Sequence, residues 1–441
     1  MGTLIQNGNL VTMDPQRRVL RGDLRIEDGR IAAIAPSLEP RAGEKVIDAT
    51  DRAVVPGFVQ AHVHLCQTLL RNRAEGLELL DWLEKRVLPL EAAHDERSMA
   101  ASADLGIAEL LKGGTTAILD MGTVRLTEVI FERAAAAGIR YVGGKAMMDL
   151  PRRAPAGLRE TTRQSIDEAV ALLRRYHGAE AGRLGYAFAP RFVLSCTEEL
   201  LRETALRARE LGARLHTHAS ENPTECQAVR EKVGADNVEY LERIGLTGPD
   251  VALAHCVWLN EREERILAES GTHLAHCPSS NLKLASGIAR VPELMARGVR
   301  VALGADGAPC NNNLDAFTEM RLASLIHRPR AGALAMSAET ILEMATIAGA
   351  RALGLEGQIG SIEVGKRADL VVVDLTRPHC VPSAGDPIGQ LVYCAHASDV
   401  EAVFVDGRSV VESGELVTLD EEKVVASARE QAPRLTARAG V

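Results

Sequence analysis

Reading from the N-terminus, the polar and apolar positions first mark short strands. The stretches LIQNGNLVTM (4–13), DLRIEDGRIAAIA (23–35) and KVIDATDRAVV (45–55) alternate or cluster β-branched residues around Asn-Gly and Asp-Gly turns. Between about residues 56 and 310 the texture changes. Short apolar runs now alternate with long amphipathic stretches: TTAILDM precedes TEVIFERAAAAG, RLGYAFAP precedes TEELLRETALRARELG, and DVALAHCVWL precedes EREERILAESG. A strand followed by a helix, repeated about eight times over this length, predicts a parallel sheet closed into a (β/α)8 TIM barrel. After a last long helical stretch, SAETILEMATIAGARALGL, turn-rich strands return in ADLVVVDL, VEAVFVDG and RSVVESGELV. Similar β blocks at both ends predict one small β-sandwich built from the two termini. The expected division is residues 1–55 plus 366–441 for that domain and residues 56–365 for the barrel.

Composition narrows the function classes. At 441 residues and 46% hydrophobic, the chain has material for a sizeable core. With 60 acidic against 51 basic residues it carries a formal charge of −9, which argues against a nucleic-acid partner. No uninterrupted apolar run reaches the ~18 residues of a membrane span. The start, MGTLIQNGNLVTMD, lacks the features of a secretory signal, so a cytoplasmic location is expected. The eight cysteines (66, 196, 226, 256, 277, 310, 380 and 394) form no Cys-x-x-Cys pair and are expected to be reduced, mostly buried thiols.

The chemistry gathers where a barrel keeps its active site, at the C-terminal ends of the strands. The first barrel strand runs into His62 and His64. Alternation puts both on one face, about 6–7 Å apart along the chain, where two imidazoles suit one metal. The fifth strand carries His216 and His218 with Glu221 just beyond, the sixth ends in His255, and the eighth ends in Asp306. Histidines satisfied by core packing would scatter along strands rather than collect at their ends. Imidazole nitrogens, a carboxylate and an open position describe a hydrolytic zinc site, in which the ion lowers the pKa of water to about 7. Asp306 suits a base that touches both metal and water, and Glu221 suits the acid that protonates substrate. Alternation alone does not choose between His216 and His218, which face the same way.

These residues resemble the amidohydrolase superfamily, in its purine and nucleobase deaminase branch. The matching stretches are PGFVQAHVHL, LHTHASENPTE, AHCVWL, HCPSSNLKLASG, LGADGAPCNN and EGQIGSIEVGKRADLVVVD, spread over essentially the whole chain. The resemblance implies that His62, His64, His218 and Asp306 hold one Zn2+, with Fe2+ or Mn2+ as possible substitutes. Glu221 then resembles the family's proton shuttle and His255 the histidine that orients the attacking hydroxide. His218 is chosen over His216 because the family spaces ligand and acid three residues apart; His216 then falls behind the ligands or in the core. A two-metal variant would need a carboxylated lysine ending the fourth strand. That strand ends in Ala187-Phe188-Ala189-Pro190, and Lys145, ending the third, would serve only if the strands were miscounted.

The loop after the first strand, with Leu80-Asp81-Trp82-Leu83, resembles deaminases of S-adenosylhomocysteine, methylthioadenosine and 5′-deoxyadenosine. By that resemblance Asp81 binds the ribose hydroxyls beside Trp82. Cys310 is expected as a wall of the pocket, with Asn311 within reach of substrate. Arg191-Phe192 resembles guanine deaminase instead, because an arginine offers only donors and suits a lactam oxygen. Arg191 paired with Glu221 or a ribose edge is the alternative. The expected substrate is thus a small aminopurine, a 6-aminopurine nucleoside ahead of guanine or an s-triazine. Occupied ligand positions argue against a non-enzymatic scaffold. By analogy with relatives the chain is expected to form a homo-oligomer.

Overall fold

The computed structural model describes residues 2–150, 154–383 and 385–441. Five strands open the chain: β1 (Thr3–Val11), β2 (Val19–Glu27), β3 (Arg30–Ala35), β4 (Lys45–Asp48) and β5 (Arg52–Pro56). The barrel follows with β6 (Phe58–Val63), β7 (Thr115–Met121), β8 (Arg140–Gly144), the short β9 (Ala146–Met147), β10 (Leu184–Pro190), β11 (Arg214–Ala219), β12 (Val251–His255), β13 (His273–His276) and β14 (Arg300–Leu303). Their order in the sheet is β6-β7-β8-β10-β11-β12-β13-β14, all parallel, with β9 beside β10. A parallel bridge between Val63 and Asp306 joins the last strand's end to the first. This is the (β/α)8 barrel that the alternation predicts.

The two faces of each strand explain the layering. Val59, Ala117, Ala187, Ala252, Ala275 and Ala302 point into the barrel, together with Ile347, Ala350 and Leu353 of the helix Ile347–Leu353. Small inward side chains leave room for that helix to plug the end opposite the active site. The outward set, including Phe58, Ile118, Tyr186, Phe188 and Leu253, packs under the surrounding helices. Helix Thr162–Tyr176 shows the matching pattern. Its buried Ile166, Ala169, Leu172, Leu173 and Tyr176 recur at helical spacing, and Thr161 with Gln164 closes its first turn as a reciprocal cap.

The terminal β segments share one sheet with β15 (Leu370–Asp374), β16 (Val400–Val405), β17 (Arg408–Glu412) and β18 (Glu415–Leu416). Its order is β18-β17-β16-β15-β5-β1-β2-β3, with β4 also paired to β1. Val371 and Val372 lie opposite Val55 and Val54, which is where the two ends of the chain meet. Ile5, Leu24 and Ile31 from one end of this path share a core with Val372 and Phe404 from the other, as in a β-sandwich. Buried Arg140 of β8 clamps barrel to sheet, with its Nε 2.8 Å and Nη2 2.9 Å from the Asp369 carboxylate. The C-terminal helix Glu421–Ala439 returns to the barrel, where Ala428 and Leu435 join an apolar cluster with Leu70, Trp82 and Leu83. No helix among the described residues is long and apolar enough to cross a membrane.

Candidate active site

Strand ends build the site. In β6, Gln60 lies opposite Ile118 but Val63 lies opposite Asp120, so three steps face two. This bulge lets Ala61 stay inside the barrel while His62 also turns inward. The His62 and His64 rings then stand at right angles with centroids 4.7 Å apart, closer than simple alternation suggests. Gly304, after β14, makes the closure possible: a Cβ there would lie 2.8–2.9 Å from backbone and Cβ atoms of His62. Beyond β11, β12 and β14 the chain turns through left-handed conformations at Ser220 (φ 53°), His255 (φ 74°) and Asp306 (φ 64°). Such backbone costs energy in residues other than glycine and gathers at functional positions.

Hydrogen bonds fix where each imidazole keeps its lone pair. His64 Nδ1 donates to the Met121 carbonyl (2.7 Å) and His218 Nδ1 to the Arg191 carbonyl (2.7 Å). Each therefore presents a bare Nε2 when neutral, and the two Nε2 atoms are 3.3 Å apart. Asp306 Oδ1 lies 3.3 Å from His62 Nε2 and 3.4 Å from His64 Nε2. His62 Nε2 is buried without a hydrogen-bond partner. Burial first, then the neighbouring imidazoles, pushes His64 down to about 3 and His218 well below its ordinary value. Burial opposes charge on Asp306, but the imidazoles around it, His62 first and then His255 and His64, hold it well below the usual carboxylate range. Proton-free nitrogens and a carboxylate facing one another offer a donor set that could hold a cation. Zinc bonds of about 2.0–2.1 Å in a tetrahedron place ligand atoms about 3.3 Å apart, so the donor set fits such an ion.

Around these four, His255 stands 3.5 Å from Glu221 Oε2 and 3.9 Å from Asp306 Oδ2. Its Nδ1 donates to Asn281 Oδ1 (2.9 Å). Burial works against charge on His255, yet the Glu221 and Asp306 carboxylates raise it above its usual value. Burial raises Glu221 too; His255 opposes the rise and Asp306 adds to it. His216 does not reach the common point, because its Nε2 lies against His62 Nδ1 (2.8 Å) one layer deeper. Lys145 is fully buried between Glu160 and Glu168, where its ammonium pairs with both carboxylates.

Sequence reasoning assigned the substrate side less well. A cleft opens over His64, His218 and Asp306, lined by Gln67, Trp82, Arg191 and Glu221 among others. Trp82 and Arg191 are therefore brought to it. Asp81 is not: its carboxylate is exposed and accepts from Lys85 one helical turn on (2.9 Å). Cys310 is buried behind the wall, donating to the Gly307 carbonyl (3.0 Å). Asn311 donates to the Ala305 carbonyl (2.7 Å) and Glu319 (3.0 Å), bracing the loop rather than lining the cleft. Arg191 pairs with Glu91, not Glu221, through Nη1 (2.7 Å) and Nη2 (3.1 Å). Residues that sequence reasoning missed stand behind the ligands. Ser280 donates to Asp306 Oδ2 (2.6 Å), Ser286 to Glu221 Oε1 (3.2 Å), and buried Glu225 accepts the Glu221 N–H (3.1 Å). The stretch HCPSSNLKLASG, which contains Ser280, Asn281 and Ser286, was the available signal.

Comparison with known proteins agrees with this architecture. The amidohydrolase family model matches residues 53–410, and the chain belongs to that family. It is 38% identical over 438 residues to 5′-deoxyadenosine deaminase of Methanosarcina acetivorans, covering 99% of each chain. It is 40% identical to 5-methylthioadenosine/S-adenosylhomocysteine deaminase of Syntrophobacter fumaroxidans, covering 97% of this chain and 96% of that one. Among solved structures, an adenosine deaminase from Xanthomonas campestris with bound zinc superposes with a TM-score of 0.92. That pair is 32% identical over 99% of this chain and 98% of the other.

Proposed function

We propose that this chain is a divalent-metal-dependent aminohydrolase that releases ammonia from a 6-aminopurine nucleoside of the 5′-deoxyadenosine, methylthioadenosine or S-adenosylhomocysteine type. One observation carries the reading: the two bare Nε2 atoms of His64 and His218, 3.3 Å apart and beside Asp306, with no proton to separate them. His62, His64, His218 and Asp306 would hold one zinc or similar ion. Bound there, it supplies Lewis acidity that brings the pKa of a water to about 7.

The remaining steps belong to the chain's own groups. Asp306 takes the proton of the attacking water as its oxygen bonds to C6 of the purine. Glu221, whose burial favours the protonated form, gives its proton to the adjacent ring nitrogen so that no anion builds there. His255, oriented by Asn281, holds the attacking oxygen in place. Asp306 then passes its proton to the amine, the C6–N bond breaks with its electron pair on nitrogen, and as C6=O forms the remaining hydroxyl proton replaces the one Glu221 gave up, leaving ammonia and the lactam. Relatives named for adenosine-type substrates support this choice. Guanine recognition by Arg191 loses support, since both terminal nitrogens of its guanidinium already donate to Glu91.

An ammonia-release assay over adenosine, 5′-deoxyadenosine, methylthioadenosine, S-adenosylhomocysteine, guanine and an aminotriazine tests the reading. Turnover of one or more of the four adenosines well above guanine and the triazine is expected; none among the adenosines would overturn it. The same reading includes a cytoplasmic homo-oligomer with the barrel over residues 56–365 and the β domain over 1–55 plus 366–441. Sedimentation and limited proteolysis test those parts.

A further inference from the structure

Three buried polar side chains beside the metal ligands, Gln67, Glu91 and Arg191, take no part in the steps above. Glu91 is enclosed, and its carboxylate accepts three hydrogen bonds: two from Arg191 (2.7 and 3.1 Å) and one from Gln67 Nε2 (2.8 Å). A carboxylate only accepts. Gln67 must therefore turn its amide nitrogen to Glu91, which leaves Oε1 as a pure acceptor elsewhere. That oxygen is buried, meets no donor in the protein, and belongs to a side chain that lines the cleft. Buried acceptors without donors are rare in native proteins, so the position fits a donor brought by the substrate.

Two contacts place Oε1 at the reacting end of the cleft. Gln67 lies three residues after His64, with its backbone N–H donating to the His64 carbonyl (3.0 Å). Oε1 also abuts Gly307, the residue after Asp306, so tightly that a Cβ there would stand 2.1 Å away. A flexible glutamine would yield to such a neighbour, but this one is pinned by Glu91. At that end of a 6-aminopurine the group bearing N–H is the exocyclic amine.

We propose that Gln67 Oε1 accepts one N–H of the departing amino group, and that Glu91 is the positioning residue that keeps the amide turned to do so. This rests on the deaminase reading. As C6 becomes tetrahedral, the amine nitrogen becomes pyramidal and its lone pair, no longer delocalised into the ring, is localised on nitrogen. That lone pair must face Asp306 to receive the proton. Holding one N–H at Gln67 sets the orientation; the proton then moves from Asp306 to nitrogen and the C6–N bond breaks with its pair on the leaving ammonia. A leaving group without N–H gains nothing from Gln67.

The test compares the 6-amino and 6-chloro forms of the preferred nucleoside on the full-length, zinc-loaded protein. Both yield the same lactam, one with ammonia and one with chloride. Gln67→Met and Glu91→Gln are each expected to lower kcat for the amine about ten- to a hundredfold. Chloride release should stay within about threefold of wild type, with KM little changed for either substrate. Gln67→Met leaves the Glu91–Arg191 pair intact, so it decides the matter even where Glu91→Gln fails to fold. Parallel losses on both leaving groups, or an unchanged amine rate in Gln67→Met, would overturn the proposal. A wild-type protein inert toward both forms would instead overturn the deaminase reading.

Discussion

Among the described residues, two places bring histidines to an aspartate: the barrel mouth, with His62, His64 and Asp306, and a surface corner with His379, His396 and Asp399. The residue types match, but their protons do not. At the mouth, backbone carbonyls of Met121 and Arg191 take the Nδ1 protons of His64 and His218, so bare nitrogens converge in a buried space. At the corner, His379 Nε2 lies 2.7 Å from Asp399 Oδ2, already in a hydrogen bond, and the same oxygen accepts the His396 backbone N–H (2.8 Å). The two corner rings stack at 4.5 Å instead of aiming at a point. A metal centre is thus defined by which nitrogens its surroundings leave bare, more than by the presence of histidine and aspartate.

Removing a ligand should break the comparison most sharply. His64→Ala is expected to take metal content from about one ion per chain to near zero and ammonia release to background, by elemental analysis and assay. The pair His379→Ala and His396→Ala should leave both within about twofold; loss of metal there would erase the distinction drawn above. Next, Glu221→Gln should keep the metal yet lower kcat about 10²- to 10⁴-fold. A near-wild-type rate would remove Glu221 from the proton path. Asn281→Ala acts one layer out, through His255. An expected loss of about 10- to 100-fold in kcat with metal content unchanged would show that the supporting layer does more than bind the ion.

The smallest effect is in stability. Burial pushes the Asp120 carboxyl up to about 7 from an ordinary 3.8, although the Leu65 N–H and Tyr141 hydroxyl donate to it. Between those values the folded chain holds a proton that the unfolded chain has released. This group's contribution therefore falls as pH rises from about 4 to about 7 and is level above. Asp120→Asn, whose amide can donate to the Tyr141 oxygen, should flatten the thermal midpoint against pH across that window.

Periodicity carried most of the fold, because strand and helix place apolar residues at different spacings and β10, β11 and β12 each obey theirs. The strand ends that carry His62, His64, His218 and Asp306 followed for the same reason. The bulge at His62 was invisible, since an extra residue in one strand shows only against its neighbour's register. Carbonyl acceptors such as Met121 have no sequence signature at all. Glu91 stands 24 residues from Gln67 and 100 from Arg191, so neither spacing nor motif linked the three. Adjacency to Trp82 says nothing about helix face, so the sequence did not show how the pair is turned: Trp82 faces inward, and Asp81 faces out to Lys85.

The helix Glu421–Ala439 has a consequence for traffic through the site. Its Ala428 and Leu435 share an apolar cluster with Trp82 and Leu83, which roof the cleft, and Arg438 ties it to the Ala93 carbonyl (2.8 Å). Lifting the roof to exchange substrate for ammonia and product means wetting that cluster rather than bending a free loop. The packing over the cleft thus depends on a segment more than 300 residues downstream, and shaving apolar bulk from Leu435 should loosen it without touching His62, His64, His218 or Asp306.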